Sequence, residues 1–153
     1  MSLVLVRVDD RLLHGQVMET WVPFCKATCV IVANEEASRD RIQRIALESC
    51  ATEGVAVKVR GLKGLAEDIN SGGLAMERIV ILVSTLQDAM KVYSEGLRFS
   101  SINIGNLHHN GKTRRITPSV YLDKEDEEIV LRFKGLGIEV DVRAVPWDRQ
   151  VRV

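Results

Sequence analysis

Five short apolar runs recur along the chain: LVLVRV (3–8), TCVIVA (28–33), VAVKVR (55–60), RIVILV (78–83) and SINIG (101–105). Each is rich in Val and Ile and nearly continuous rather than alternating. That is the pattern of strands covered on both faces, as in a parallel sheet. Between them the period changes to 3.6. Segment 15–25 carries Val17, Trp21 and Phe24, and segment 37–50 sets Ile42, Ile45, Ala46 and Cys50 on one predicted face. Segment 62–70 is a shorter helix closing at NSGG, where glycine tolerates positive φ. In 85–95, Leu86, Ala89, Met90 and Tyr93 fall at i, i+3, i+4 and i+7.

The last third differs. TRRITPSVYL (113–122) reads as extended segments broken at Pro118. DKEDEEIVLRFKGLG (123–137) is a helix with acids in its first turns and glycine at its close. IEVDVRAV (138–145) alternates like a strand with one wetter face, near a sheet edge. The pattern predicts a single α/β domain over residues 1–153. Its sheet is open, mostly parallel and twisted, with helices on both faces and an antiparallel strand near one edge.

Composition narrows the function. At 153 residues, 46% hydrophobic and 27% charged, the chain is an ordinary globular one, with 21 basic and 21 acidic residues. That balance supplies no overall field for nucleic acid or anionic membrane, so any phosphate contact must come from a local cluster. With no run long enough to span a membrane and no signal core, a cytoplasmic location is expected. Cys25, Cys29 and Cys50 form an odd set without paired metal spacing, and are read as buried, reduced thiols.

The local cluster follows the first strand. In VDDRLLHGQV (8–17), Asp9, Asp10, Arg11 and His14 precede a helix opening near Gly15 and Gln16. Ligand sites of open α/β sheets lie beyond the carboxyl ends of the strands. There a helix N-terminus offers free N–H groups to an anion, and Gly15 lets the backbone come close. Arg7 and Arg11 add forked donors matched to phosphate. Neutral His14 can accept a phosphoryl group on one ring nitrogen while the other is held by a carboxylate or carbonyl. Spacing alone leaves a second reading open, in which an aspartate caps the helix and His14 is a solvated turn residue.

RVDDRLLHGQV (7–17) closely resembles the active-site segment of IIB components of the mannose/fructose/sorbose family of the bacterial phosphotransferase system. VANEEA (32–37), INIGNLHHNGKTRRITPSVYL (102–122) and GIEVDVRAVPWD (137–148) are similar to further blocks of that family. The resemblance implies a phosphocarrier. A phosphorylated IIA domain or protein would donate to His14, and His14 would pass the group to a sugar held by the membrane components IIC and IID. It makes Arg7 and Arg11 phosphate-binding cations and gives Asp10 or Asp9 the task of orienting the imidazole or holding Arg11. Gly15 and Gln16 shape the turn, and Asn34, Asn103 and Asn106 are pocket candidates. No cofactor, metal or nucleic acid is implied, and a homo-oligomer is left open.

Two departures stand out: Asn34 where family members often carry Asp, and SCATEGV (49–55) where they carry a small-residue and proline segment. Neither touches the histidine turn, but both weaken any inference about a particular sugar. His108 and His109, being adjacent, point apart and make a poor metal pair. A regulatory phosphoprotein that reports phosphorylation state would use His14 in the same way. A nucleotide-binding domain is disfavoured by the absence of a glycine-rich phosphate fingerprint after the first strand; GLKGLAED (61–68) is only a weak mimic.

Overall fold

The computed structural model describes residues 2–108, 111 and 114–153. Strands β1 (Ser2–Asp9), β2 (Cys29–Ala33), β3 (Ala56–Arg60), β4 (Arg78–Val83), β5 (Ser101–Asn106), β8 (Glu139–Val142) and β9 (Val151–Arg152) form one seven-stranded sheet in the order β3-β2-β4-β1-β5-β8-β9. Every pairing is parallel except β8 with β9. The expected antiparallel edge strand is therefore β9, and 138–145 contributes a parallel strand one place inside it. A separate hairpin, β6 (Arg114–Thr117) and β7 (Val120–Leu122), turns at Pro118 as the sequence predicts. Leu107 ties it to the end of β5 through its N–H on Ser119 O (2.9 Å) and its carbonyl under Tyr121 N (3.0 Å).

Alternation along the strands builds two cores. Val6 and Val8, Ile79, Ile81 and Val83, Ile102 and Ile104, and Val140 and Val142 face one side. There they meet α4 (Leu65–Asn70), α5 (Leu86–Ser94), α6 (Lys124–Gly135) and the hairpin. Val30, Val32, Val57, Val59, Val80 and Leu82 face the other, against Leu13, Val17, Trp21, Ala37 and Leu47. That second layer holds a π-helical segment (Val17–Trp21) running into α1 (Val22–Phe24), then α2 (Glu35–Arg39) and α3 (Arg41–Glu48).

Three expectations need correction. The helical pattern over 37–50 is two helices, because Asp40 is extended and its carboxylate caps the N–H groups of Ile42 (3.0 Å) and Gln43 (3.1 Å). The side of α3 that packs inward runs through Leu47, while Ile42, Ile45 and Ala46 are exposed. Phe24 is likewise exposed, edge-on to buried Trp21. Among the cysteines only Cys29 is fully buried; Cys25 and Cys50 are half-buried.

The wetter face of 138–145 is wet only towards its ends: Glu139 is exposed and Arg143 half-buried, whereas Asp141 between them is buried. On β1, β5 and β8, consecutive neighbours in the sheet, the residues opposite the apolar core are Arg7 and Asp9, Asn103 and Gly105, and Asp141, with Arg143 just beyond the end of β8. The register sets Arg7 beside Asn103 and Asn103 beside Asp141, so a polar row crosses three strands inside the protein. Buried polar groups persist chiefly when paired, and this row pairs internally except at Asp141 Oδ1, which has no partner among the described residues.

Candidate functional site

The carboxyl end of β1 lies between β4 and β5 and leads into the charged turn. A register irregularity against β5 between Val8 and Asp9 re-aims the strand end. Leu12 N–H closes a turn onto Asp9 O (2.9 Å), and Leu12 takes a left-handed φ of 56°. That conformation costs a non-glycine residue about 1–2 kcal/mol. Burying the Leu12 and Leu13 side chains in the second core offsets it and anchors the turn. His14 O then accepts from Val17 N (3.1 Å) and Met18 N (3.2 Å), so the helix starts there, and the N–H groups of Gly15 and Gln16 precede the first helical donor.

Asp9 is the hub. Its carboxylate is fully buried, and His14, with a side chain only 19% exposed, places Nε2 2.9 Å from Oδ2. The same oxygen accepts from Asn106 Nδ2 (2.9 Å), Arg7 Nη2 (3.1 Å) and Arg7 Nε (3.3 Å). Oδ1 accepts the Arg11 N–H (3.0 Å) and lies 3.7 Å from Arg11 Nε. Burial pushes the Asp9 carboxyl up. The hydrogen bonds from His14, Asn106 and the Arg11 backbone, with the charge of Arg7, outweigh it and hold the group below its ordinary value. An ionised carboxylate only accepts, so His14 Nε2 donates to it, which in the neutral ring leaves the lone pair on Nδ1.

Arg7, expected as a phosphate ligand, is instead wholly buried. Besides Asp9 it donates through Nη1 to Asn103 Oδ1 (2.7 Å) and to Arg143 O (3.1 Å). Its guanidinium lies 5.5 Å from the Trp21 ring centroid. A Cβ on Gly105 would stand 1.9 Å from Arg7 Cζ, so the guanidinium lies over a backbone that must be glycine. Asp10 also departs from expectation. It turns away from His14 and accepts from the N–H of His108, with His108 Nδ1 at 3.5 Å. Its Oδ1 has no partner among the described residues.

Arg11 is half-exposed, with Nη2 on Gln16 Oε1 (3.3 Å), and is the cation of the turn that faces outward. At Gly15 a Cβ would meet nothing within 4 Å. The open space at Gly15 and the half-exposed guanidinium of Arg11 leave room at the helix start for an incoming tetrahedral anion. Asn103 and Asn106 belong to the site, though as buried supports rather than pocket walls. Asn34 does not join it: its Oδ1 caps α2 through Ala37 N (2.8 Å), and its Nδ2 reaches Ser84 Oγ (3.2 Å). His109 lies outside the described residues, and among those described no metal-binding cluster occurs.

Sequence reasoning missed the far end of the network. Asn103 Nδ2 donates to Asp141 Oδ2 (3.1 Å) and to Arg143 O (3.2 Å), and Arg143 Nε to Asp141 Oδ2 (2.9 Å). Trp21 Nε1 donates to Ala144 O (2.9 Å), and the Arg143 guanidinium lies 5.3 Å from the Trp21 ring. The signal was the spacing of single polar residues, every second position, within otherwise apolar strands.

Comparison with known proteins gives consistent results. Residues 3–153 match the model of the phosphotransferase system sorbose-subfamily IIB component. The chain is 32% identical to the N-acetylgalactosamine-specific phosphotransferase enzyme IIB component 2 of Escherichia coli (strain K12), over 98% of this chain and 95% of the relative. It is 29% identical to the mannose-specific EIIAB component of the same strain, over all of this chain and 47% of that longer protein. The crystal structure of the IIB domain of the sorbose permease from Klebsiella pneumoniae superposes with a TM-score of 0.91 at 28% identity, covering 99% of this chain and 93% of that one.

Proposed function

The chain belongs to the sorbose-subfamily IIB components of the phosphotransferase system, and on that premise we propose that it is a phosphocarrier whose covalent intermediate forms on Nδ1 of His14. The observation that carries this reading is the 2.9 Å bond between His14 Nε2 and a buried, ionised Asp9, which directs the nucleophilic lone pair to the other nitrogen. The donor is a phosphorylated IIA domain or protein, a pairing supported by the fused EIIAB relative. The acceptor is a sugar held by IIC and IID membrane components, and the chain works at the cytoplasmic side. No helix among the described residues is long and apolar enough to cross a membrane.

In the step, the Nδ1 lone pair forms a bond to phosphorus while the donor's N–P bond breaks and its electron pair returns to the donor ring. The His14 ring becomes a phosphoimidazolium beside the Asp9 carboxylate. Arg11 and the N–H groups of Gly15 and Gln16 neutralise charge on the transferring oxygens. Onward transfer returns the N–P pair to Nδ1, and the sugar hydroxyl gives its proton to a base on the sugar's side. Incubation with phosphoenolpyruvate, the general phosphotransferase proteins and a IIA should label one acid-labile, base-stable site. His14→Ala should abolish that label; undiminished labelling of the alanine variant overturns the proposal.

A further inference from the structure

We infer that Arg7 is a positioning residue acting through Asp9: it occupies the carboxylate oxygen that faces His14 and so keeps the Nε2 proton on the ring while the phosphoryl group sits on Nδ1. This inference rests on the phosphocarrier reading of His14.

Four donors converge on Asp9 Oδ2, two of them from Arg7, at 3.1 and 3.3 Å. Arg7 cannot turn to meet a phosphate. It is sealed between the Gly105 backbone, the Trp21 ring and its bonds to Asn103 and Arg143 O. Its whole influence on the reaction therefore passes through that oxygen. The surrounding charges are arranged to let it. Asp141 faces Arg7 from β8 but is itself paired with Arg143 at 2.9 Å. Arg11 bears on the other Asp9 oxygen from the turn, and Asp10 is engaged by His108.

The chemistry needs such a partner. Once the N–P bond forms, the ring is a cationic phosphoimidazolium, and its Nε2–H becomes acidic next to a carboxylate. If Asp9 takes that proton, the ring becomes a neutral phosphoimidazole, and breaking N–P then requires expulsion of an imidazolate, a poor leaving group. A guanidinium on the receiving oxygen lowers its basicity and holds the proton on nitrogen. The phosphoryl group stays on a good leaving group and remains transferable.

The test uses the full chain, labelled with 15N in histidine and phosphorylated through phosphoenolpyruvate, the general proteins and a IIA. NMR should show phosphorus on Nδ1 and a retained proton on Nε2 at neutral pH. In Arg7→Met the Nε2 proton should move to Asp9 and transfer should slow by about tenfold. Arg7→Lys, which keeps the charge without the fork, should fall between, and in an Asp9→Asn background Arg7→Met should add no further slowing. An unprotonated Nε2 in the parental phosphoprotein overturns the inference without any variant having to fold. So does an Arg7→Met protein that is less stable yet keeps both the proton and the rate. Absence of any label on His14 would instead overturn the phosphocarrier reading.

Discussion

His14 and Asp9 stand five residues apart in the chain and meet at 2.9 Å, the imidazole at the rim of the protein and the carboxylate wholly beneath it. Asp10 points elsewhere, onto His108, so the two neighbouring acids have separate partners. Asp9→Asn should lower phosphoryl transfer by at least about tenfold. It should also destabilise the fold by roughly 3 kcal/mol, because Arg7 is left as a buried charge without its anion. Asp10→Asn should leave the fold within about 1 kcal/mol and change transfer far less. Denaturant midpoints and single-turnover transfer from phospho-IIA check the pair.

Arg11 is the outward-facing cation of the turn. Arg11→Lys should slow transfer by about tenfold, since a point charge cannot supply the second bond of the fork. Its thermal midpoint should stay at the parental value, the side chain being half-exposed. A parental transfer rate would remove Arg11 from the phosphate site.

The acid side of the stability curve should carry the signature of Asp9. Its carboxyl is held below the ordinary value in the folded protein, so it contributes stability that is fully present above the unfolded value, about 3.9. That contribution is lost as pH falls through the lower, folded value. Acid titration of the parental chain should show it, and Asp9→Asn should flatten this limb.

The corrected face of α3 is testable by contrast. Leu47→Ala should cost about 2–5 kcal/mol, whereas Ile45→Ser should change stability by about 0.5 kcal/mol or less, as Ile45 is 55% exposed. Equal losses would return Ile45 to the core.

Lys26 closes α1 in a left-handed conformation, φ 53°, with Ala27 N on Val22 O (2.9 Å) and Lys26 N on Pro23 O (3.1 Å). This is the glycine position of a helix C-terminus. Lys26→Gly should stabilise by about 0.5–1 kcal/mol, the relief of strain exceeding the added freedom of the unfolded chain. Chemical denaturation reads it directly.

Period and continuity of the apolar runs made the parallel strands legible, and the capping acids and Gly137 made α6 so. What periodicity cannot tell is which side of an element meets the sheet. Ile42, Ile45 and Ala46 do share one side of α3, yet the extended cap at Asp40 and the return to β3 turn a different side inward. The same gap explains the polar strand positions. Asp141 looked solvated because alternation with a charge usually marks a wet face. Only the neighbouring strands reveal Asn103 waiting opposite it. In the candidate site, the turn alone offered His14 and Arg11 as part of an anion cluster but left the capping reading open, and it was the family resemblance that singled His14 out. The choice of Asp9 over Asp10, and the burial of Arg7, depend on partners about a hundred residues away.

The turn that carries His14 is for that reason not a portable cassette. Asp10 N–H rests on Asn106 O (3.0 Å), Asp9 on Asn106 Nδ2, and Arg7 on a glycine of β5 and a carbonyl after β8. Grafted onto another parallel sheet, residues 7–17 would bring the histidine and its acid but not the floor that holds them. The geometry of the turn therefore depends on three separate stretches of sequence at once, and a substitution in β5 or after β8 can disturb the His14–Asp9 contact without touching the turn itself.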